Sequence, residues 1–233
     1  MEYKYIFLAS FILLVVVGIF IFLYNPFIFY SGKESPSCEK IFYSGNSDEK
    51  VDIVFFTSGV SRNKLKGYID SLFEFEPFDK QKNNFNFFYL DEKINCELKY
   101  SALFCYSLDL IQKSSGCPND FVVVISDESG GIRSSAYMNV ISINDKLPIS
   151  VFPHEFGHVF ANLADEYVPA KIPFGSKNCV KNCEEFGEIV GCFQECSESN
   201  FFRSSENSIM RTLNSQSYFE LNQKIISEEL EKW

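Results

Sequence analysis

Residues Pro153 to Tyr167 read PHEFGHVFANLADEY, and at their centre lies HEFGH, an H-E-x-x-H pattern. On a helix each residue turns the chain by about 100°, so His154 and His158 stand one above the other on a single face. Two imidazoles placed in this way can close on one Zn2+ ion. Glu155 leaves the helix beside them, where its carboxylate can hold a water and take its proton as that water attacks a carbonyl. A protein zinc site needs at least a third ligand. Short patterns of this kind also arise on ordinary helices, but here both of the chain's two histidines fall inside it. The sequel fits as well. Asn162 tolerates the left-handed conformation that stops a helix, and the acidic pair Asp165 and Glu166 follows within reach of the metal.

H-E-x-G-H followed by L-A-D-E-Y resembles the IgA-peptidase-type zinc metallopeptidases, relatives of the metzincins. That resemblance implies a zincin-like fold and hydrolysis of peptide bonds at zinc. In metzincins a glycine ends the helix after H-E-x-x-H, and the third ligand comes three residues later. Asn162 stands at that turn here, so the resemblance assigns Asp165 as third ligand, with Glu166 as the alternative. It also implies a methionine turn under the metal. Met210, in Ser208-Ile209-Met210-Arg211, is similar to that turn, where its part is packing; taken alone it would read as a core methionine. VDIVFF (51–56) and FVVVIS (121–126) followed by Gly-Gly are similar to the family too, so the resemblance extends over residues 51–233.

Outward from this stretch, the totals set bounds. The chain has 233 residues, enough for one ordinary domain and a small addition. Its formal charge is -10, from 31 acidic and 21 basic side chains. With no Lys/Arg-rich run, a nucleic-acid partner is not expected. Eight cysteines point to disulfides in an extracytoplasmic compartment, ahead of core thiols or a second metal site.

Residues 5–24, YIFLASFILLVVVGIFIFLY, carry no charge and are long enough to span a bilayer as a helix. Lacking a convincing small-residue cleavage site, residues 1–30 read as an uncleaved signal anchor. The cysteines place the following domain outside. Residues 31–50, with Pro36 and a polar SGNSDEK run, read as a tether, and Cys38 can pin it to the domain. The metallopeptidase domain is expected over residues 51–233, in an upper α/β part (51–168) and a Cys-rich lower part (169–233). Strands are expected at 51–59, 85–90 and 121–126, with a helix after the Ser61 cap and another over 101–112. Strand-helix-strand-helix-strand predicts an α/β fold with a mixed, mainly parallel sheet. A further strand falls within 136–143, and an edge strand in this region can bind a substrate backbone as an added strand. Ser150 is the expected cap of the histidine helix. A terminal helix carries Leu221, Ile225, Ile226 and Leu230 on one stripe.

Cys179 and Cys183, and Cys192 and Cys196, are spaced for two short facing helices. The natural pairing is nested, Cys179 with Cys196 and Cys183 with Cys192; four thiolates on zinc are the alternative. Cys96 and Cys105 are paired by proximity alone. The functional reading is a membrane-anchored zinc metallopeptidase, an endopeptidase on protein or peptide substrates. Alternatives are a catalytically silent zinc-binding surface protein that binds a partner, and a zinc amidase acting on cell-wall peptides. Tyr167 and Tyr218 are both candidates for a hydroxyl that steadies the oxyanion, and no pattern selects between them.

Overall fold

The computed structural model describes residues 38–189 and 191–233, together with Leu13 and Val15. Apart from those two residues, the expected membrane anchor lies outside the described residues. Among the described residues no helix is long and apolar enough to cross a membrane. The folded unit spans Ser35–Trp233.

Its centre is a six-stranded sheet. The strands are β1 (Glu39–Phe42), β2 (Val51–Thr57), β3 (Phe85–Asp91), β6 (Phe121–Ser126), β7 (Ser135–Tyr137) and β8 (Val140–Asn144), in the order β1-β3-β2-β6-β8-β7. The four inner strands are parallel, and β1 and β7 close the two edges antiparallel. Every residue of β2 is buried, because both faces of the sheet are covered. Alternation divides its side chains. Ile53 and Phe55 enter one core and Val54 and Phe56 the other.

The first core holds the helices α1 (Arg62–Leu72), α3 (Val151–Ala161) and α4 (Phe219–Leu230). Ser61 caps α1 by accepting a hydrogen bond from the Lys64 amide, and Leu65, Tyr68, Ile69 and Leu72 are buried at helical spacing. In α3 a stripe of Phe152, Phe156 and Phe160 stacks on sheet residues Phe55, Phe85 and Phe121, with centroids 5.4–6.4 Å apart. Burying each ring stabilises the fold by about 2–3 kcal/mol. His154 is two residues from Phe152, about 200° around the helix, so the same stripe that anchors α3 turns its histidines away from the sheet.

The second core lies under a hairpin of β4 (Glu97–Lys99) and β5 (Ala102–Phe104) and the helix α2 (Leu108–Ser114). Four disulfides staple the unit: Cys38–Cys117, Cys96–Cys105, Cys179–Cys196 and Cys183–Cys192. No cysteine is left for a thiolate zinc site.

Three local expectations differ from the structure. The stretch read as a tether contributes the edge strand β1, which pairs with β3. Residues 101–112 are not one helix. Residues Ala102–Phe104 extend into a strand beside the Cys96–Cys105 bridge, and the helix begins only after Ser107 accepts from the Leu110 amide. The clustered cysteines do not lie on facing helices: Cys183 opens a short 3-10 turn (Cys183–Phe186), Cys196 ends β9 (Phe193–Cys196), which pairs with β10 (Glu198–Arg203), and Cys179 and Cys192 lie in the segments between elements. In a segment with so little apolar surface, the cross-links hold the backbone without help from helical packing.

Candidate metal centre

Helix α3 brings His154 and His158 to the floor of a cleft of about 460 Å³. Ser150 precedes it, but its hydroxyl donates to the Leu213 carbonyl instead of capping the helix. The helix stops at Asn162, whose φ of 50° and ψ of 36° are left-handed. This reverses the chain, and three residues on Asp165 returns to the histidines. Its Oδ1 lies 3.3 Å from His154 Nε2 and 3.3 Å from His158 Nε2, and the two Nε2 atoms are 3.3 Å apart. Four ligands at about 2.0–2.1 Å in a tetrahedron stand roughly 3.3–3.4 Å from one another. The three donor atoms thus form one face of such a tetrahedron, and His154, His158 and Asp165 together could hold a metal ion.

The hydrogen bonds around this triangle settle which way the rings are protonated. His154 Nδ1 lies 2.8 Å from the Ile209 carbonyl, and His158 Nδ1 2.6 Å from the Leu163 carbonyl. A carbonyl only accepts, so each Nδ1 donates. In the neutral rings both Nε2 lone pairs then face each other and the Asp165 oxygen. That oxygen is buried and accepts no hydrogen bond. Three converging lone pairs in a half-buried place call for a cation. Without a metal, a proton takes that part. Burial alone would lower His158, but Asp165 outweighs it and carries His158 up to about 9. Burial likewise opposes the ionised form of Asp165, yet its contacts with both histidines hold it well below the usual carboxylate range.

Glu155 lines the same cleft and is buried, which pushes its carboxyl up against the pull of the two histidines. Glu166, the alternative third ligand, is engaged elsewhere. Its Oε2 accepts from Ser208 Oγ at 2.5 Å, and its Oε1 from Asn222 Nδ2 at 2.9 Å and Asn178 Nδ2 at 3.2 Å. It ties the loop carrying Asp165 to the turn and helix beneath it.

That turn holds Met210, which is fully buried under α3. A Cβ on Gly157 would lie 2.9 Å from Met210 Sδ and 3.1 Å from Tyr218 Cε1, so a glycine in the histidine motif is what lets the turn come this close. Tyr218 is also fully buried, and its hydroxyl donates to the Pro153 carbonyl. It packs below the helix, while Tyr167 lines the cleft. Burial, then the charge of Asp165 and a hydrogen bond to it, push the Tyr167 hydroxyl up to about 12.

The cleft wall includes Ser135, Ala136 and Tyr137 of the edge strand β7. Arg133, just before it, is bonded through its backbone to Ser101 and Leu103. Beyond that point no described strand pairs with the outer side of β7. Arg133 and Lys171 also line the cleft, and no local pattern in the sequence marks either. The chain matches no family model, and no curated protein matches it.

Proposed function

We propose that this centre binds zinc and hydrolyses peptide bonds, as the resemblance to the IgA-peptidase-type metallopeptidases implies. The observation that carries the reading is the 3.3 Å triangle of His154, His158 and Asp165, with Glu155 beside it on the same helix. The left-handed stop at Asn162 and Met210 under the helix add to the support for a zincin-like centre.

Bound zinc supplies the Lewis acidity that makes water acidic and polarises a carbonyl. The chain's own residues do the rest. The edge strand β7 offers backbone groups to an extended substrate, which places its peptide carbonyl over the helix. The Glu155 carboxylate takes a proton from the attacking water. As oxygen bonds to the carbonyl carbon and the C–N bond breaks, Glu155 delivers that proton to the leaving amine. The apolar surroundings raise its basicity for the first step. Four disulfides support an oxidising compartment for the domain, and the apolar run at residues 5–24 supports its tethering to a membrane.

Glu155→Gln tests the reading. The amide keeps the shape and cannot take the proton, so zinc content is retained and turnover falls by at least about 10²–10⁴-fold. A variant that cleaves peptides at the wild-type rate would refute the assignment.

A further inference from the structure

Among the described residues of the cleft wall the only acids are Glu155 and Asp165. Their two negative charges balance a divalent ion. The remaining charged side chains are Arg133 and Lys171, so with that ion bound the cleft would be locally cationic in a chain of net charge -10. Neither cation forms a salt bridge among the described residues. Arg133 gives one Nη2 hydrogen bond to the Tyr100 carbonyl at 3.3 Å, which steadies the guanidinium and leaves its other donors free for a ligand. Its charge is felt at both Glu155 and Tyr167.

Arg133 stands on anchored backbone, and Lys171 follows a residue whose amide is anchored. Arg133 is bridged to Ser101 and Leu103 at 3.1 and 2.8 Å. Next to Lys171, the Ala170 amide donates to the Ser197 carbonyl at 2.8 Å, and the Ser197 hydroxyl in turn donates to the Asp165 carbonyl at 2.5 Å. Both side chains are exposed on the cleft wall, and two cations on a concave surface raise the local concentration of anions there.

We propose that Arg133 and Lys171 make this cleft select a carboxylate close to the bond to be cut, an inference that rests on the hydrolytic reading above. The carboxylate is either an Asp or Glu side chain within the peptide or the free carboxylate at a peptide's end. Both offer the same pair of oxygens to a guanidinium.

The test uses the full zinc-loaded chain in detergent and quenched peptides of one neutral sequence. In a first set the C-terminus is amidated, and Asp, Asn or Lys is placed at each position in turn. A second set is neutral throughout and ends in a free carboxylate at varied distance. The expected result is a kcat/KM for Asp over Asn, or for free over amidated ends, of about fivefold or more, declining as salt is added. A preference in the first set identifies a side-chain carboxylate, and one confined to the second a terminal carboxylate. In the Arg133→Glu/Lys171→Glu protein the order reverses at the same position, with Lys preferred to Asp. Ratios within one protein cancel any general loss from the substitutions. Equal rates throughout both sets, in an enzyme that cleaves them, overturn the proposal.

If no peptide is cleaved, the hydrolytic reading fails on its own. Charge selection is then read from anisotropy of the labelled peptides with Glu155→Gln protein. Tighter binding of the carboxylate peptides, lost on charge reversal, supports the proposal; equal binding or none overturns it.

Discussion

Gly157→Ala isolates the contact between the ligand helix and the turn beneath it. In a helix interior alanine gains about 0.5–1 kcal/mol over glycine. Against this, the new Cβ meets Met210 Sδ at 2.9 Å, Tyr218 Cε1 at 3.1 Å and Leu163 Cδ1 at 3.4 Å. Overpacking of this kind costs about 1–3 kcal/mol, and the sign depends on which neighbour can move. Tyr218 is held at both ends, by its hydroxyl on Pro153 and by ring contacts with Phe75 and Phe78 at 5.5 and 6.0 Å. Met210 is fully buried, and its carbonyl accepts from the Glu166 amide at 2.9 Å. The clash therefore wins, for a net loss of about 1–2 kcal/mol. Because the Ile209 carbonyl that orients His154 adjoins Met210, zinc affinity falls as well, by about 10–100-fold. Urea unfolding of the metal-free protein measures the first effect and competition with a chromophoric chelator the second. Adding Met210→Ala removes the obstacle, so the double-mutant cycle shows a favourable coupling of about 1 kcal/mol or more. Should Gly157→Ala stabilise the protein and leave zinc binding unchanged, the turn is not packed against the helix as described.

Three other outcomes follow from the same centre. Asp165→Asn removes the anionic ligand, and zinc affinity drops by at least about 100-fold while circular dichroism stays native. Metal-free and zinc-loaded protein respond to pH with opposite signs. His158 is raised from 6.5 to about 9, so the metal-free protein holds that stabilisation below pH 6.5 and loses it as pH rises to about 9, whereas zinc must displace the proton and binds more tightly over the same interval. Melting curves across this range, with and without zinc, report both. Glu166→Ala strands the partners Ser208, Asn178 and Asn222 in a buried place and costs about 2–4 kcal/mol in denaturant unfolding, while Glu166→Gln retains most of the hydrogen bonds and costs about half as much.

Much of the centre was legible because it is local. Helical spacing puts His154 and His158 together, and a left-handed residue at Asn162 carries the chain back, so Asp165 follows within a few residues. The inner strands were legible for a similar reason, since β2 and β6 are apolar without break. The nested cysteine pairs came out as expected even though the helices imagined around them did not form, because nesting depends on loop closure and not on the conformation between. What escaped was non-local. Strand β1 exists through pairing with β3, more than forty positions away, and four residues beside prolines and glycine carry no period of their own. The run at 101–112 looks helical only if its bridge to Cys96 is ignored. Glu166 and Asp165 are neighbours with the same chemistry, and only the polar partners packed around Glu166 tell them apart. Arg133 and Lys171 gain their meaning from a cleft that the chain order does not announce.

The residues that would hold the metal and those that hold them in place are made at different times. Ile209, which orients His154, follows it by 55 positions, and Asn222, which steadies Glu166, follows by 56. At about 5–20 residues per second, a ribosome needs roughly 3–11 s to go from one group to the other. Throughout that interval the nascent chain carries its histidines and Asp165 without the turn and helix that fix their geometry. A preorganised site is thus a late product of synthesis.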